Sequence, residues 1–298
     1  MSGRSGFVAV LGRPSAGKST LVNALCGHKV SIVSPVPQTT RNRIRGIVTR
    51  EAGQLVFLDT PGYHLSERRM NRKMQGVAIG ALEDADLLLY VVDASRAPGE
   101  EERAIAARIA EAALPRIVAL NKTDLLRGER GVEEAPARGF LREVLPDTPV
   151  HAVSALQGHG VEELLTALFS GIPMGEPFYD AEFYTDQSPE FRIAEILREQ
   201  AFAVTSQEIP HCLYVEIADL EMRDPPAEHL WARAFLVVER ESQKGILVGK
   251  GGERIKGIRA AAERECNAIF PYPVKIDLRV KARPKWRSNE GLLDRLIT

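Results

Sequence analysis

The chain has 298 residues, 44% of them hydrophobic and 27% charged, a length and balance that predict two compact units and exclude a disordered chain. The apolar run at 87–92 is far too short to cross a bilayer, and the opening MSGRSGFVAVLG has neither an h-region nor a cleavage site, so a cytoplasmic protein is expected. The net charge of −1 hides a segregation: residues 244–287 hold 12 Lys and Arg against 4 Asp and Glu, leaving 27 against 36 elsewhere, so that region expects an acidic partner, nucleic acid or an anionic membrane.

From residue 6 to about 170, short apolar runs alternate with amphipathic stretches: FVAVLG, STLVNALCG, LVFLD, DLLLYVVD, residues 101–111, RIVALN, VHAVSA and VEELLTALF. Such alternation predicts β-α-β units and an α/β fold with helices on both faces of a mostly parallel sheet. Residues 44–50 and 54–58, joined by Glu51, Ala52 and Gly53, read as a hairpin. It adds one antiparallel edge strand and makes the sheet mixed.

The first run leads into Gly12, Arg13, Pro14, Ser15, Ala16, Gly17, Lys18 and Ser19, a fit to GxxxxGK[ST], and then into a helical stretch through Ser19 and Thr20. Strand before and helix after is the context a phosphate-binding loop requires. The glycines let backbone N–H groups turn in around phosphates, the helix N-terminus adds positive potential, and Lys18 reaches the outer phosphates. Ser19 is the expected magnesium ligand. A polar loop after Val33 holds Gln38, Thr39, Thr40 and Arg41; Thr40, in preference to Thr39, is placed to close over magnesium and the γ-phosphate.

Asp59, Thr60, Pro61 and Gly62 end the strand LVFLD. There a carboxylate can hold the magnesium water shell and a glycine can approach the terminal phosphate. Tyr63 follows, and no side chain is an obvious catalytic base. Asn121, Lys122, Thr123 and Asp124 come directly after RIVAL. The Asp124 carboxylate can accept from both N1–H and the exocyclic amine of guanine, a donor pair adenine lacks, so GTP is favoured over ATP. Ser154, Ala155 and Leu156 are placed to offer backbone N–H to the guanine carbonyl. Cys26, Cys212 and Cys266 are widely separated and outside any CxxC pair, and the six histidines lack metal-ligand spacing.

GIPMGEP at 171–177 concentrates Gly and Pro after a helical pattern. The expected division is a nucleotide-binding domain over 1–172, a linker over 173–189 and a second domain over 190–298. The second reads as helix (191–204), strand (213–218), strand (234–239), a short helix ending near Gly249, helix (253–266) and strand (274–280). Gly249, Lys250, Gly251 and Gly252 form a GXXG loop between two helical stretches, with Arg254, Lys256 and Arg259 following. In KH domains such a loop clamps single-stranded RNA, and the element order is that of the type II arrangement. Ile246, Leu247, Val248, Ile255 and Ile258 read as packing residues, and so does Trp286. Lys281, Arg283, Lys285 and Arg287 alternate as on a basic strand face, although Pro284 favours an edge or irregular segment.

Together these segments resemble the Era family of the TrmE–Era–EngA–Septin-like class of GTPases. GRPSAGKSTLVNAL, QTTR, DTPG, NKTD and SAL fall in the family's order, and KGILVGKGGERIK and KWRSNE are typical of its second domain. The resemblance spans essentially the whole chain. It implies a P-loop GTPase domain followed by an α+β type II KH domain, GTP or GDP with Mg2+ as ligands, and slow hydrolysis. Lys18, Thr40, Asp59 and Gly62 then stand at the reacting phosphate, and Ser19, Thr40 and Asp59 at the metal. The implied partners are the 3′ end of small-subunit ribosomal RNA and the small ribosomal subunit, whose assembly is the expected role of a monomer that switches through loops 30–43 and 60–70. Peripheral contact with the inner face of the cell membrane is described in part for the family.

The sequence departs from the pattern at two places. Family members usually have Asn-Val where Ser15 and Ala16 stand, and that asparagine is associated with a monovalent cation in related GTPases, so K+ stays an open cofactor. Tyr63 stands where Ras-like proteins keep a water-positioning glutamine and this family usually has an apolar residue. Two other readings remain beside the main one: an RNA chaperone with a structural nucleotide site, and a membrane-associated regulatory GTPase.

Overall fold

A computed structural model describes residues 3–64, 68–126, 131–132, 135–205, 208–223 and 228–297. The chain divides into two units, Met1–Asp186 with Asp294–Thr298, and Gln187–Leu293. The first unit contains β1 (Arg4–Leu11), α1 (Lys18–Cys26), β2 (Ile44–Arg50), β3 (Gly53–Asp59), α2 (Arg69–Gly80), β4 (Leu87–Asp93), α3 (Glu100–Glu111), β5 (Arg116–Asn121), α4 (Pro136–Val144), β6 (Val150–Ala152) and α5 (Val161–Gly171). Its sheet runs in the order β2-β3-β1-β4-β5-β6. All neighbours are parallel except β2, which is antiparallel to β3. This is the P-loop GTPase arrangement.

The run LLLYVV is uniformly apolar because both faces of β4 are covered. Leu87, Leu89 and Val91 point to one layer with Leu21, Val22 and Leu25 of α1 and Leu164, Leu165 and Leu168 of α5. The alternate residues Leu88, Tyr90 and Val92 join Ile105 and Ile109 of α3 with Phe140 and Leu141 of α4 on the other side. Two helices have no counterpart among the apolar runs of the sequence. The twelve residues of α2 bury only Met74 and Ala78, and the nine of α4 only Ala137, Phe140 and Leu141.

Residues 173–186, expected within the linker, lie along the first unit. Gln54, fully buried, accepts from the N–H of Phe178 and Tyr179 at 2.8 and 3.0 Å. The Ile47 N–H donates to Tyr184 O at 2.9 Å and the Thr185 hydroxyl to Arg45 O at 2.8 Å. The open edge of β2 thereby gains the backbone partners that an edge strand lacks.

The second unit contains α6 (Pro189–Ala203), α7 (Ile209–Cys212), β7 (Tyr214–Arg223), β8 (His229–Val238), α8 (Glu241–Val248), α9 (Glu253–Ile269) and β9 (Val274–Ala282), and α10 (Glu290–Leu296) begins within it. Its sheet runs β7-β8-β9, antiparallel at the first pairing and parallel at the second. Helices α6 and α9 pack together and α9 packs on β9, giving the α+β KH layout. Ser188 caps α6 by accepting the Phe191 N–H at 3.2 Å, ahead of Pro189 in the first turn.

Strands β7 and β8 run longer than the apolar residues indicate. The added stretches pair Asp219 with Arg233, Glu221 with Trp231 and Arg223 with His229, and are held by an Asp219–Arg233 ion pair at 3.1 Å and by Arg223 stacked 3.4 Å over Trp231. On β8 Leu230 and Ala232 are also buried, whereas the added residues of β7 are half-buried or exposed and rest on cross-strand pairing. Strand β9 stops at Ala282, and Lys285 takes a left-handed conformation (φ 56) ahead of a 3-10 turn at Trp286–Ser288. Trp286 is buried, donates from its indole Nε1 to Cys212 O at 2.9 Å, and meets Tyr214 edge-on at 4.8 Å. Replacing Trp286 with Ala is expected to destabilise the protein by about 3–5 kcal/mol, measured as a shift of the urea unfolding transition followed in the second unit.

Candidate functional site

The phosphate loop, Asp59, Asn121 and Ser154 all follow carboxyl ends of strands in the first sheet, the edge where α/β sheets bind ligands. Close approach requires glycine at two points. A Cβ on Gly17 (φ 92) would lie 2.4 Å from Asn121 Nδ2, and one on Gly62 would lie 2.6 Å from the Pro14 Cα. The Tyr63 N–H donates to Gly12 O at 3.1 Å, and the Thr60 hydroxyl to Val10 O at 2.7 Å. The DTPG segment is thus pressed against the phosphate loop.

Lys18 is buried and donates from Nζ to Gly12 O at 3.1 Å and Arg13 O at 3.2 Å. Burial pushes its ammonium down to about 8, against the pull of the Asp59 and Glu102 carboxylates. The Ser19 and Thr40 hydroxyls lie 2.8 Å apart, whereas the Thr39 hydroxyl donates to Val36 O at 2.6 Å. Asp59 is fully buried, and neither carboxylate oxygen has a hydrogen-bond partner. Burial pushes its carboxyl up, opposed by nearby Ser31, Lys18 and Ser19. An uncompensated buried carboxylate is costly. Beside two hydroxyls and a phosphate loop, it suits a hydrated magnesium ion, which takes few protein oxygens.

Asn121 joins three loops. Its Nδ2 donates to Ala16 O at 3.0 Å, and its Oδ1 accepts the Ala155 N–H at 3.0 Å. Lys122, left-handed at φ 66, donates from Nζ to Ser15 O at 2.7 Å and to Asp93 at 2.8 Å. Thr123 and Asp124 open a 3-10 turn, where the Ser154 hydroxyl donates to Asp124 Oδ1 at 2.6 Å and fixes one face of the base-reading carboxylate. The Ser154 N–H donates to His159 O at 2.9 Å. With the Ala155 N–H held by Asn121, Leu156 is the residue of the SAL group that stands exposed.

Two acidic residues absent from the sequence expectations complete this wall. Asp93 at the end of β4 meets Arg13 at 3.4 Å as well as Lys122. Burial pushes its carboxyl up, but hydrogen bonds from Lys122 and Ser95 outweigh that and hold it below the usual carboxylate range. Glu102, nearly as buried, takes Arg13 Nε at 3.0 Å and the Tyr90 hydroxyl. Asp93 had a signal, since it ends an apolar strand on the ligand side. Glu102 had none: it is one of three acids in the first turn of α3.

In the second unit, Gly249, Gly251 and Gly252 take φ of 72, 59 and 79. A Cβ on Gly249 would strike that of Arg254 at 2.7 Å, whereas Gly251 and Gly252 face open space. Lys250, Arg254, Lys256 and Arg259 are exposed around this loop, and Arg254 is tied back to Ile246 O. Leu247 and Ile258 are buried. The basic strip at the chain end is engaged differently. Lys281 pairs with Glu216 at 2.6 Å, Arg283 reaches the Tyr214 hydroxyl at 3.2 Å, and Arg287 pairs with Glu239. Lys285 is exposed. Among the described residues, no helix is long and apolar enough to cross a membrane.

Fold and motifs define a P-loop GTP-binding protein with an appended KH unit. The family profile described as 50S ribosome-binding GTPase matches residues 7–122, and that of the KH domain matches 208–287. GTPase Era of Treponema denticola is 46% identical over 98% of this chain and 99% of its own, and that of Borreliella afzelii 41% identical over 99% of each. The chain belongs to the Era family of GTPases. Two solved Era structures superpose on 98% of both chains. One is a single-residue variant from Aquifex aeolicus bound to GDP.AlF4− (TM-score 0.92, 33% identity), and the other is in complex with MgGDPNP and nucleotides 1506–1542 of 16S ribosomal RNA (TM-score 0.93, 32% identity).

Asp124→Asn replaces an acceptor pair with one acceptor and one donor. Affinity for GTP is expected to fall about 100-fold and affinity for xanthosine triphosphate to rise, on the scale of hydrogen bonds to a charged group. Competition against a fluorescent guanine nucleotide measures both.

Proposed function

We propose that this protein is a GTP-hydrolysing switch whose KH unit binds the 3′ end of small-subunit ribosomal RNA during assembly of that subunit. The observation that carries the nucleotide half is the orphaned Asp59 carboxylate, buried beside the Ser19 and Thr40 hydroxyls at the mouth of the phosphate loop. Ser19, Thr40 and Asp59 would hold Mg2+, which when bound offsets charge on the phosphate oxygens. Lys18 and the loop amides position the γ-phosphate and stabilise charge on its oxygens in the transition state. Thr40 and Gly62 register the γ-phosphate and order their loops in its presence; within the second loop, residues 65–67 lie outside the described residues. The residue after Gly62 is Tyr63 and not a water-positioning glutamine, which fits slow turnover. The protein works in the cytoplasm as a monomer.

RNA is favoured over an anionic membrane as the partner of the basic region because four exposed cations, Lys250, Arg254, Lys256 and Arg259, cluster around the glycine loop. Two of the cations that remain, Lys281 and Arg287, are already paired with carboxylates. Gly249, Lys250, Gly251 and Gly252 let the RNA backbone pass closely, and Arg254, Lys256 and Arg259 meet its phosphates. The solved relative in complex with 16S ribosomal RNA points to the same partner.

The test is the affinity for a small-subunit rRNA 3′-end oligonucleotide, with a GTP analogue and with GDP, at one salt concentration. Tighter binding with the analogue is expected, the affinity ratio giving the coupling. Equal binding in both states would overturn the coupling, and no binding in either would overturn the RNA assignment.

A further inference from the structure

Asn23 lies one helical turn beyond Ser19 on α1, on the same face. It holds the chain where the polar loop of the nucleotide site begins. Its Oδ1 accepts from the N–H of Val30 at 2.8 Å and of Ser31 at 2.9 Å, while its Nδ2 donates to Ser31 O at 2.8 Å. Both backbone polar groups of Ser31 are therefore fixed by one side chain that rides on the helix carrying Ser19.

The Ser31 side chain is fixed with them. Ser31 is 1% exposed, and its hydroxyl is buried without a hydrogen-bond partner. It stands beside the buried Asp59 carboxylate, on the segment that Asn23 ties to the helix carrying Ser19. A buried hydroxyl and a buried carboxylate, both unsatisfied and adjacent, are an expensive arrangement in a packed core. The expense is recovered when a cation fixes the carboxylate and its free oxygen turns to the hydroxyl. No other assigned role of the loop uses Ser31, because Thr40 supplies the hydroxyl beside Ser19.

We infer that Ser31 is a positioning residue for the magnesium site, its hydroxyl donating to the Asp59 carboxylate and orienting it toward the ion, with Asn23 as the clamp that keeps Ser31 in place. This rests on the reading of Asp59 as the magnesium-side carboxylate. The arrangement ties the start of the loop to α1, so the segment free to respond to nucleotide begins after Ser31 and ends at Thr40.

The experiment follows release of a fluorescent GDP from the full chain, in saturating Mg2+ and in EDTA. The ratio of the two rates isolates what Mg2+ contributes. In Ser31→Ala the ratio is expected to shrink about tenfold, the scale of one hydrogen bond to a charged group, with the EDTA rate unchanged. Asn23→Ala should shrink it in the same direction. Should the alanine variant of Ser31 fail to fold, Ser31→Cys keeps a similar volume with a weaker donor and must shift the ratio the same way. An unchanged ratio, or equal acceleration with and without Mg2+, overturns the inference. Asp59→Asn separates the two readings: if it leaves the ratio intact, the magnesium reading itself fails, whereas if it abolishes the ratio while Ser31→Ala does not, only the role of Ser31 falls.

Discussion

The nucleotide end of the first unit depends on one amide. Phosphate loop, base-reading loop and SAL loop each follow a different strand, and loops of this kind have no rigidity of their own. The Asn121 amide bonds Ala16 O on one side and the Ala155 N–H on the other, while Gly17 leaves the space it occupies. A carboxylate could not donate to Ala16, and an aliphatic side chain would leave two buried backbone groups without partners. Because Asn121 is the last residue of β5, the geometry of the sheet is passed directly to the loops that read phosphate and base.

Behind that amide lies a chain of buried charge. Lys122 and Arg13 share Asp93, and Arg13 and the Tyr90 hydroxyl share Glu102. Buried ion pairs add little net stability, since desolvation offsets their attraction, but removing one partner leaves the other charge stranded. The value of the network here is geometric. It roots the side chain of Arg13, in the middle of the phosphate loop, on α3 and β4, and roots Lys122, in the base loop, on the same carboxylate. Movement of either loop must therefore break charged contacts with the core.

The second unit solves a different problem. Its KH loop needs exposed cations and open space, and the positive φ of Gly251 and Gly252 supplies a backbone that nothing crowds. Elsewhere in the unit several cations are matched, Lys281 by Glu216, Arg287 by Glu239, and Arg233 by Asp219 and Asp277, while Arg264, Lys275 and Lys285 are exposed. Pairing thus removes part of the basic surplus visible in the sequence, and Lys250, Lys256 and Arg259 cluster around the loop as an exposed field for an anionic strand.

Much of this protein was legible in its sequence. Strands covered on both faces show as apolar runs, the hairpin at Glu51 to Gly53 as a break between two of them, and the phosphate, magnesium and base motifs as contiguous residues whose chemistry is local to each loop. What needed tertiary structure involves contacts between residues far apart or surfaces that bury little. Helices α2 and α4 show only two or three buried residues each, and the outer half of β7 buries no residue and is held by pairing across strands, which leaves little apolar pattern to read. Asp93, Glu102, Asn23 and Ser31 are ordinary polar residues until the fold brings Arg13, Lys122 and Asp59 against them. Sequence determines which chemistry each loop carries, because that chemistry lies in neighbouring residues. Only the fold decides which distant side chains hold those loops still, because burial and hydrogen-bond satisfaction are properties of the packed whole.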